Sequence, residues 1–157
     1  CEVYIDTDVN AAGLAEHQLG AGKGLNSVVY TTVGTGIGTG IILNGQSLIG
    51  LSHPEVGHVE INQFEEDAAY QSCCPFHSHC AEGLASGTAI QKRWGMSLKG
   101  LDADHPAVQL EAKYLAKYAR HLILTYFPEK LIVETSFESG ISDTKMLEVL
   151  EKYNNMI

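Results

Sequence analysis

The sequence is poor in basic residues. It has 10 lysines and arginines against 19 aspartates and glutamates, and its formal net charge is -9. This balance argues against binding to nucleic acid or to an anionic membrane surface. No apolar run reaches the length of a membrane span, and no basic and apolar signal segment opens the chain. We therefore expect neither a nucleic-acid partner nor a membrane.

Cysteines are too few and too unevenly placed for a disulfide framework. Of the four, three lie between Cys73 and Cys80 beside histidines, and the fourth is Cys1. This distribution favours a metal site in a reducing compartment, so we expect a cytoplasmic protein. The 157 residues are 45% hydrophobic and 18% charged, which is typical of one folded domain. Because Cys1 stands where methionine is usual, we expect a fragment or a processed chain.

Hydrophobic periodicity predicts an α/β protein with a β-rich first half. The predicted strands are Val3–Ile5, Ser27–Val33, Ile41–Leu43, Gln46–Leu51 and Leu131–Val133, with a hairpin turn at Asn44-Gly45. The predicted helices are Ala11–Leu19, one that begins within Ala85–Trp94, Ala107–Phe127 and Thr144–Tyr153. Asp8 or Asn10 is the expected cap of the first helix, and Pro128 is expected to end the third.

A cluster of soft metal ligands stands in the middle of the chain. Cys74, His77 and Cys80 form a C-x2-H-x2-C pattern, and His58 is a natural fourth ligand upstream. Zn²⁺ prefers four thiolate and imidazole ligands in a tetrahedron, so the pattern predicts a structural zinc site. The alternative is a set of unrelated surface histidines and buried cysteines. Three more candidates, which we expect to be bystanders, are His53, Cys73 and His79.

Two carboxylates, Glu55 and Glu82, flank this cluster. Carboxylates accept hydrogen bonds from the hydroxyls of a neutral polyol, so they suit a sugar; the alternative is a pair of solvated surface acids. Asp8 precedes the first helix, where it is either a helix cap or a general base for phosphoryl transfer.

A glycine-rich run, Gly34-Thr35-Gly36-Ile37-Gly38, separates two predicted strands. Backbone N–H groups and threonine hydroxyls in such a turn can bind phosphate, but an ordinary tight hairpin explains the run equally well. It is not a Walker A loop, because no Gly-Lys-Ser/Thr follows.

Taken in order, these motifs resemble the ROK family of sugar kinases and repressors, and most closely its fructokinase branch. The segments that carry the resemblance are Thr7–Ala12, Thr32–Gly38, His53–His58 with its E-x-G-H signature, Cys74–His77 with Cys80, and Glu82–Gly87. The C-P-F-H form of the zinc loop is that of fructokinases, whereas repressors and glucokinases of the family more often show C-x-C-G-x-x-G-C.

The resemblance implies an actin-like, ribonuclease-H-like fold and ATP-dependent phosphorylation of a hexose, D-fructose to fructose 6-phosphate, by a homodimer. It implies that Asp8 is the catalytic base, that Zn²⁺ is structural, and that Mg²⁺ accompanies ATP. The implied sugar contacts are Asn10, Glu55, His58 and Glu82; the implied contacts to ATP phosphates are Gly34, Thr35, Gly36 and Gly38; the implied zinc ligands are His58, Cys74, His77 and Cys80.

The chain also departs from the family pattern. The N-terminal lobe with its D-x-G-G-T phosphate loop is absent, and so are the last strand and helix after Ile157. Glu134–Phe137 stands where glycines usually approach the nucleotide, and Thr39 and Ser78 replace commoner glycines. We therefore expect residues 1–157 to form a C-terminal sugar- and zinc-binding lobe, incomplete at both ends, with weak or no activity alone. The alternatives are a zinc-stabilised non-catalytic remnant and the sugar-sensing domain of a regulator.

Overall fold

The structure, a computed structural model, describes residue 3 and residues 5–135. In chain order the elements are α1 (Asp8–Leu19), β1 (Ser27–Val33), β2 (Ile37–Leu43), β3 (Gln46–Ser47), two short 3-10 turns (Val56–His58 and Glu65–Asp67), α2 (Ala81–Ala85), α3 (Gly87–Trp94), α4 (Pro106–Tyr126) and β4 (Lys130–Thr135). The predicted helix Thr144–Tyr153 lies outside the described residues. None of the described helices is both long and apolar enough to cross a membrane.

The four strands form one mixed sheet in the order β3-β2-β1-β4. β1 and β2 pair antiparallel from Ser27↔Leu43 to Val33↔Ile37, so they form the hairpin that the glycine-rich run connects. β4 lies parallel to β1, with Val28 opposite Lys130. Parallel neighbours need a long crossover, and the whole segment from β3 to α4 supplies it.

Alternation along the strands gives the sheet two buried faces. On one face Val29, Val33, Ile37 and Ile41 pack in a core with residues of α2 and α4, among them Leu84, Tyr114, Leu115 and Tyr118. On the other face lies α1, whose Gly13 sits against Tyr30 and Ile42. The domain is therefore layered, with α1 on one side of the sheet and α2 with α4 on the other.

Close contact between α1 and β2 explains a glycine in mid-strand. A Cβ on Gly40 would overlap the backbone carbonyl oxygen of Val9, so only glycine lets the start of α1 lie directly on β2. The same pairing corrects the predicted start of β2, which is Ile37 and not Ile41. Glycines lowered the strand propensity of 37–40, but the ladder with β1 runs through them.

Other element boundaries also differ from the predictions. The cap of α1 is Thr7, whose hydroxyl accepts a hydrogen bond from the amide of Asn10 at 3.2 Å, so neither Asp8 nor Asn10 caps it. Val3 and Ile5 lie outside any strand and are exposed. β3 ends at Ser47 instead of continuing to residue 51.

The segment 85–94 is not one helix. Extended Ser86 ends α2 and caps α3, because its hydroxyl accepts the amide N–H of Ala89. α4 begins at Pro106 and ends before Phe127, which adopts a left-handed conformation at φ 46 immediately before Pro128. The predicted end of this helix is confirmed.

Candidate functional site

The four predicted metal ligands converge on one point. The donor atoms of His58, Cys74, His77 and Cys80 all lie within 4.8 Å of one another. The Nδ1 atom of His58 is 3.7 Å from the Sγ of Cys74 and 3.6 Å from the Sγ of Cys80. The Nδ1 atom of His77 is 3.5 Å from the Sγ of Cys74.

The three nitrogen–sulfur spacings fit one tetrahedral ion. With Zn–S near 2.3 Å and Zn–N near 2.05 Å, ideal tetrahedral geometry places nitrogen and sulfur ligands about 3.6 Å apart. The three measured nitrogen–sulfur distances are within 0.1 Å of that value. The two-cysteine, two-histidine set leaves no ligand position open, which is the pattern of structural zinc. Of the additional candidates, His53, Cys73 and His79, none belongs to this group.

The ligand loop is anchored at Cys80. Glu60 and Cys80 form an antiparallel bridge, and the amide of Ala81 donates to the carbonyl of Val59 at 3.0 Å. The Sγ of Cys80 caps α2 by accepting the amide N–H of Gly83 at 3.3 Å. Burial raises the pKa of the Cys80 thiol to about 11, so the thiolate that zinc needs is favoured only when a cation is beside it.

A buried polar network holds the chain that leads into the loop. Arg93 donates to a carboxylate oxygen of Asp67 at 2.9 Å and to the carbonyl of Leu84 at 2.8 Å. Its guanidinium carbon lies 3.9 Å from the centre of the Tyr70 ring. Tyr114 donates to the other oxygen of Asp67 at 2.7 Å. Helices α2, α3 and α4 thereby fix the position of residues 67–70, just before the ligands.

Glu82 lies beside the metal cluster, two residues after Cys80 in the chain. Its carboxylate lies in the first turn of α2 and accepts the amide N–H of Ile37 at 3.1 Å. The Nε2 atom of His58, on the far side of the ring from the ligand nitrogen, is 3.9 Å from Glu82. A Cβ on Gly36 would lie 2.5 Å from an oxygen of this carboxylate, so a larger residue there would displace the Glu82 side chain. The hairpin, the ligand loop and α2 therefore meet at one carboxylate.

A small cavity brings Asp8 and Glu55 together. It measures about 120 Å³, and its lining comes from three segments: Thr7–Val9, Ile37–Thr39 and His53–Gly57. Asp8 is exposed and accepts a hydrogen bond from the amide of Val9 at 2.8 Å. Gly38 lines the same cavity. The predicted base, Asp8, and the carboxylate predicted to accept sugar hydroxyls, Glu55, thus line one pocket, although they are 47 residues apart in sequence.

His53 belongs to this cavity and not to the metal cluster. Its Nε2 atom is 2.7 Å from a carboxylate oxygen of Glu55, and its Nδ1 atom is 3.3 Å from the hydroxyl of Ser52. The sequence predicts His53 to be a bystander of the metal cluster, and it lies outside that cluster. The signal that points to its place is the H-P-E spacing, which puts a histidine two residues before Glu55.

Asn10 is placed differently from the other predicted sugar contacts. It is 1% exposed, and its side-chain amide donates to Asp6 at 2.7 Å. It does not line the cavity of Asp8. This hydrogen bond, followed by that from the Thr7 amide, lowers the pKa of Asp6. In this structure Asn10 thus supports the segment that precedes Asp8.

The glycine-rich turn is pinned to α3. The amide of Gly34 donates to the carbonyl of Gly36, while the carbonyl of Gly34 accepts the amide N–H of Gly87 at 2.7 Å. The hydroxyl of Thr88 donates to the carbonyl of Thr35 at 2.8 Å. The backbone N–H of Gly34 is therefore already engaged, whereas the side chain of Thr35 is exposed.

Glu134 interacts with the sheet. It is opposite Thr32 in the β1–β4 pairing, and the hydroxyl of Tyr30 donates to its carboxylate. Burial and then Glu134 raise the pKa of Tyr30 to about 12. An anionic side chain consequently lies beside the strand that leads into the glycine-rich turn.

The sequence matches the ROK family over residues 1–155. It is 46% identical over 134 residues to a fructokinase of Zymomonas mobilis. The aligned region covers 84% of this chain and 44% of that protein. A fructokinase of Lactococcus lactis is 37% identical over 131 residues, or 83% of this chain and 44% of that protein. The chain thus spans less than half the length of these relatives.

Among solved structures, a ROK hexokinase from Thermus thermophilus superposes with a TM-score of 0.76 at 28% identity, covering 96% of this chain and 54% of that one. The match confirms the predicted α/β, actin-like fold. Family match and fold agree, and the chain belongs to the ROK family.

Proposed function

We propose that this chain is the sugar- and zinc-binding lobe of a fructokinase-type enzyme that transfers phosphate from ATP to D-fructose, giving fructose 6-phosphate. The observation that carries the proposal is the shared cavity of Asp8 and Glu55, next to a zinc-type cluster that positions Glu82. Two relatives named fructokinase, at 46% and 37% identity, support the choice of sugar.

Asp8 is the proposed general base. Its carboxylate is exposed in the cavity and has no basic side chain among the lining residues except His53. In the reaction the sugar hydroxyl oxygen bonds to the γ-phosphorus of ATP, the bond to the leaving ADP oxygen breaks, and the hydroxyl proton passes to Asp8. Mg²⁺ bound with ATP would offset the charge of the phosphates.

Glu55 and Glu82 are the proposed hydroxyl acceptors. Glu55 is 68% exposed at its side chain and is oriented by His53, and Glu82 is oriented by the amide of Ile37. His58 serves two purposes in this proposal: Nδ1 binds zinc, while Nε2 faces Glu82 and the sugar. Asn10 acts by supporting the helix start, through Asp6, and reaches a sugar only if its side chain turns.

Zinc has a structural part in this proposal. With two thiolates and two imidazoles bound, it would hold the loop against α2 and supply charge compensation for the buried Cys80 thiolate. Elemental analysis of protein purified without chelator should give one zinc per chain. Protein that contains no stoichiometric metal would remove this assignment.

The nucleotide side of the site is the less complete half. We propose that Gly34, Thr35, Gly36 and Gly38 face ATP phosphates, and that a phosphate-loop lobe outside residues 1–157 completes the cleft. The carboxylate of Glu134 beside Tyr30 adds negative charge to the region from which the glycine-rich turn departs. The isolated chain should therefore bind a sugar but transfer phosphate slowly or not at all.

Further parts of the proposal concern assembly and location. We propose a homodimer, which would cover exposed apolar side chains such as Leu51 and Phe127. The free cysteines at 73, 74 and 80 and the thiolate-rich cluster suit a reducing cytoplasm.

A coupled assay of fructose 6-phosphate formation tests the activity. The full-length protein that we propose should turn over fructose with MgATP, and Asp8→Asn should lower kcat by about 100-fold or more, the range of general base catalysis. Asp102→Asn, an exposed acid that does not line the Asp8 cavity, is the matched control and should have no effect. Unchanged turnover in Asp8→Asn would contradict the assignment of the base.

A second candidate is a non-catalytic, zinc-stabilised sugar-binding domain, which the Glu134 carboxylate favours. It differs from a kinase lobe in one measurable property. If the full-length protein binds fructose but has no measurable affinity for ATP, and Glu134→Gly does not restore it, the non-catalytic function is the correct one.

A further inference from the structure

A second polar cavity lies on the outer face of α4, away from the residues discussed above. It measures about 310 Å³ and is lined by Asn62, Lys117, Arg120, His121, Leu124 and Thr125. None of these residues lines the cavity of Asp8. The α4 residues recur at i, i+3, i+4, i+7 and i+8 from Lys117, so one helical face presents them together.

Lys117 is held in place within this cavity. Its ammonium group donates to the carbonyl oxygen of Asn62 and lies 3.5 Å from the centre of the Phe64 ring. Burial lowers the pKa of Lys117. The side chain therefore carries a positioned and partly desolvated charge.

The positive charge of this cavity is not compensated by acidic side chains. No carboxylate is among its lining residues, although the chain has a net charge of -9. Arg120 and His121 are exposed, and neither side chain makes a hydrogen bond or an ion pair in the part of the chain that the structure describes. By contrast, Lys113 one turn earlier is paired with Glu66 at 2.7 Å. Arg120 and His121 thus differ from Lys113, because no acidic partner of their side chains is among the described residues.

We propose that this α4 cavity binds a phosphate monoester. A dianionic phosphate matches the positioned ammonium group of Lys117, the guanidinium of Arg120 and the imidazole of His121 better than a monovalent carboxylate does, because a guanidinium can bind two phosphate oxygens at once. The hydroxyl of Thr125 and the side-chain amide of Asn62 add uncharged donors at the rim, and Leu124 supplies an apolar wall. A volume of about 310 Å³ accommodates a small phosphorylated metabolite and not only the phosphate group.

This site goes beyond the proposed kinase reaction, since its residues are separate from the sugar cavity and the glycine-rich turn. The competing explanation is a solvated basic helix face without a ligand. The two explanations predict different phosphate binding. Binding to a specific site saturates and depends on Arg120, whereas general electrostatic attraction weakens equally when any cation is removed.

The test is a titration of the ¹⁵N-labelled chain with inorganic phosphate and with fructose 6-phosphate at constant ionic strength, followed by amide NMR shifts. The shifts of Asn62 and Thr125 should saturate with either phosphate, and unphosphorylated fructose should not move them. Arg120→Gln should weaken binding about tenfold, which corresponds to about 1.4 kcal/mol. Because Arg120 is exposed and its side chain has no partner among the described residues, this variant should fold normally.

Lys23→Gln is the control, because Lys23 is an exposed lysine in the loop after α1 and does not line the cavity. It should leave the affinity unchanged. Three results would each overturn the proposal: shifts at Asn62 and Thr125 that never saturate, equal weakening by both variants, or full affinity in Arg120→Gln.

Discussion

Replacing Arg93 with methionine should destabilise the domain far more than breaking an equally short ion pair on the surface. The Arg93–Asp67 pair has a nitrogen–oxygen distance of 2.9 Å, with the two side chains 7% and 6% exposed. The Lys113–Glu66 pair is 2.7 Å long, but its side chains are 39% and 55% exposed. The two ion pairs thus have nearly equal nitrogen–oxygen distances and differ in the burial of their side chains.

The expected loss of unfolding free energy depends on which groups stay buried without a partner after the substitution. Arg93→Met leaves the carboxylate of Asp67 buried without its cation, which typically costs about 3–5 kcal/mol. The hydroxyl of Tyr114 still donates to Asp67, so we expect the lower end, about 3 kcal/mol. Lys113→Met should cost at most about 1 kcal/mol, since exposed pairs are screened by water.

Thermal unfolding followed by circular dichroism measures the difference. For a chain of this size 1 kcal/mol corresponds to about 2–4 °C, so Arg93→Met should lower the Tm by about 6–12 °C and Lys113→Met by about 4 °C or less. The double variant Arg93→Met/Asp67→Asn removes both charges and should recover part of the loss.

Equal effects of the two single variants would refute the claim that the buried network holds the approach to the ligand loop. So would a double variant that is no more stable than Arg93→Met, because the loss would then come from packing and not from an unpaired charge.

Three further predictions concern other parts of the molecule. Cys80→Ser should lose zinc in elemental analysis and unfold at a lower temperature, whereas Cys73→Ser, outside the ligand set, should keep both properties unchanged. Gly40→Ala should lower the free energy of unfolding in urea by about 1–3 kcal/mol, because its Cβ overlaps the backbone of α1, while Gly50→Ala in an open loop should be nearly neutral; equal losses would contradict the close packing of α1 on β2. Glu111 is fully buried, and its carboxylate oxygens have no hydrogen-bond partner among the described residues. Burial raises the pKa of Glu111 well above 4.5, so protonation favours the folded state. The contribution of this carboxyl to stability is complete below its unfolded pKa and is lost as pH rises towards its folded pKa. Glu111→Leu should therefore stabilise the protein at pH 7 and give a gain that shrinks as pH falls to about 4, and a gain independent of pH would show that the carboxyl does not titrate in this way.

Local sequence spacing was enough to predict the metal cluster. Cys74, His77 and Cys80 lie on one short loop, and the sequence also names His58 as the fourth ligand. In the structure the bridge between Glu60 and Cys80 brings His58 next to the other three. The β1–β2 hairpin and the end of α4 were also predictable, since glycine and proline act within a few residues of their own position.

Features that depend on long-range packing were not predictable in the same way. The cap of α1 was assigned to Asp8 or Asn10, because Asp and Asn are as good caps as the Thr7 that actually serves. Ser86 divides α2 from α3, and the amide of Gly87, which follows it, donates to the carbonyl of Gly34 in the glycine-rich hairpin. The Arg93–Asp67 pair joins residues 26 apart and has no local pattern at all.

Calorimetric titration of the zinc-loaded chain with D-fructose is the most direct test that the sugar half of a kinase site is present. We predict saturable binding that Glu82→Gln weakens by at least about tenfold, because a charged hydrogen-bond acceptor is lost while the amide oxygen can still accept the N–H of Ile37. Glu129→Gln, remote from the cavity of Asp8, is the control and should bind fructose normally. No saturable heat with fructose, or an unchanged affinity in Glu82→Gln, would contradict the proposal.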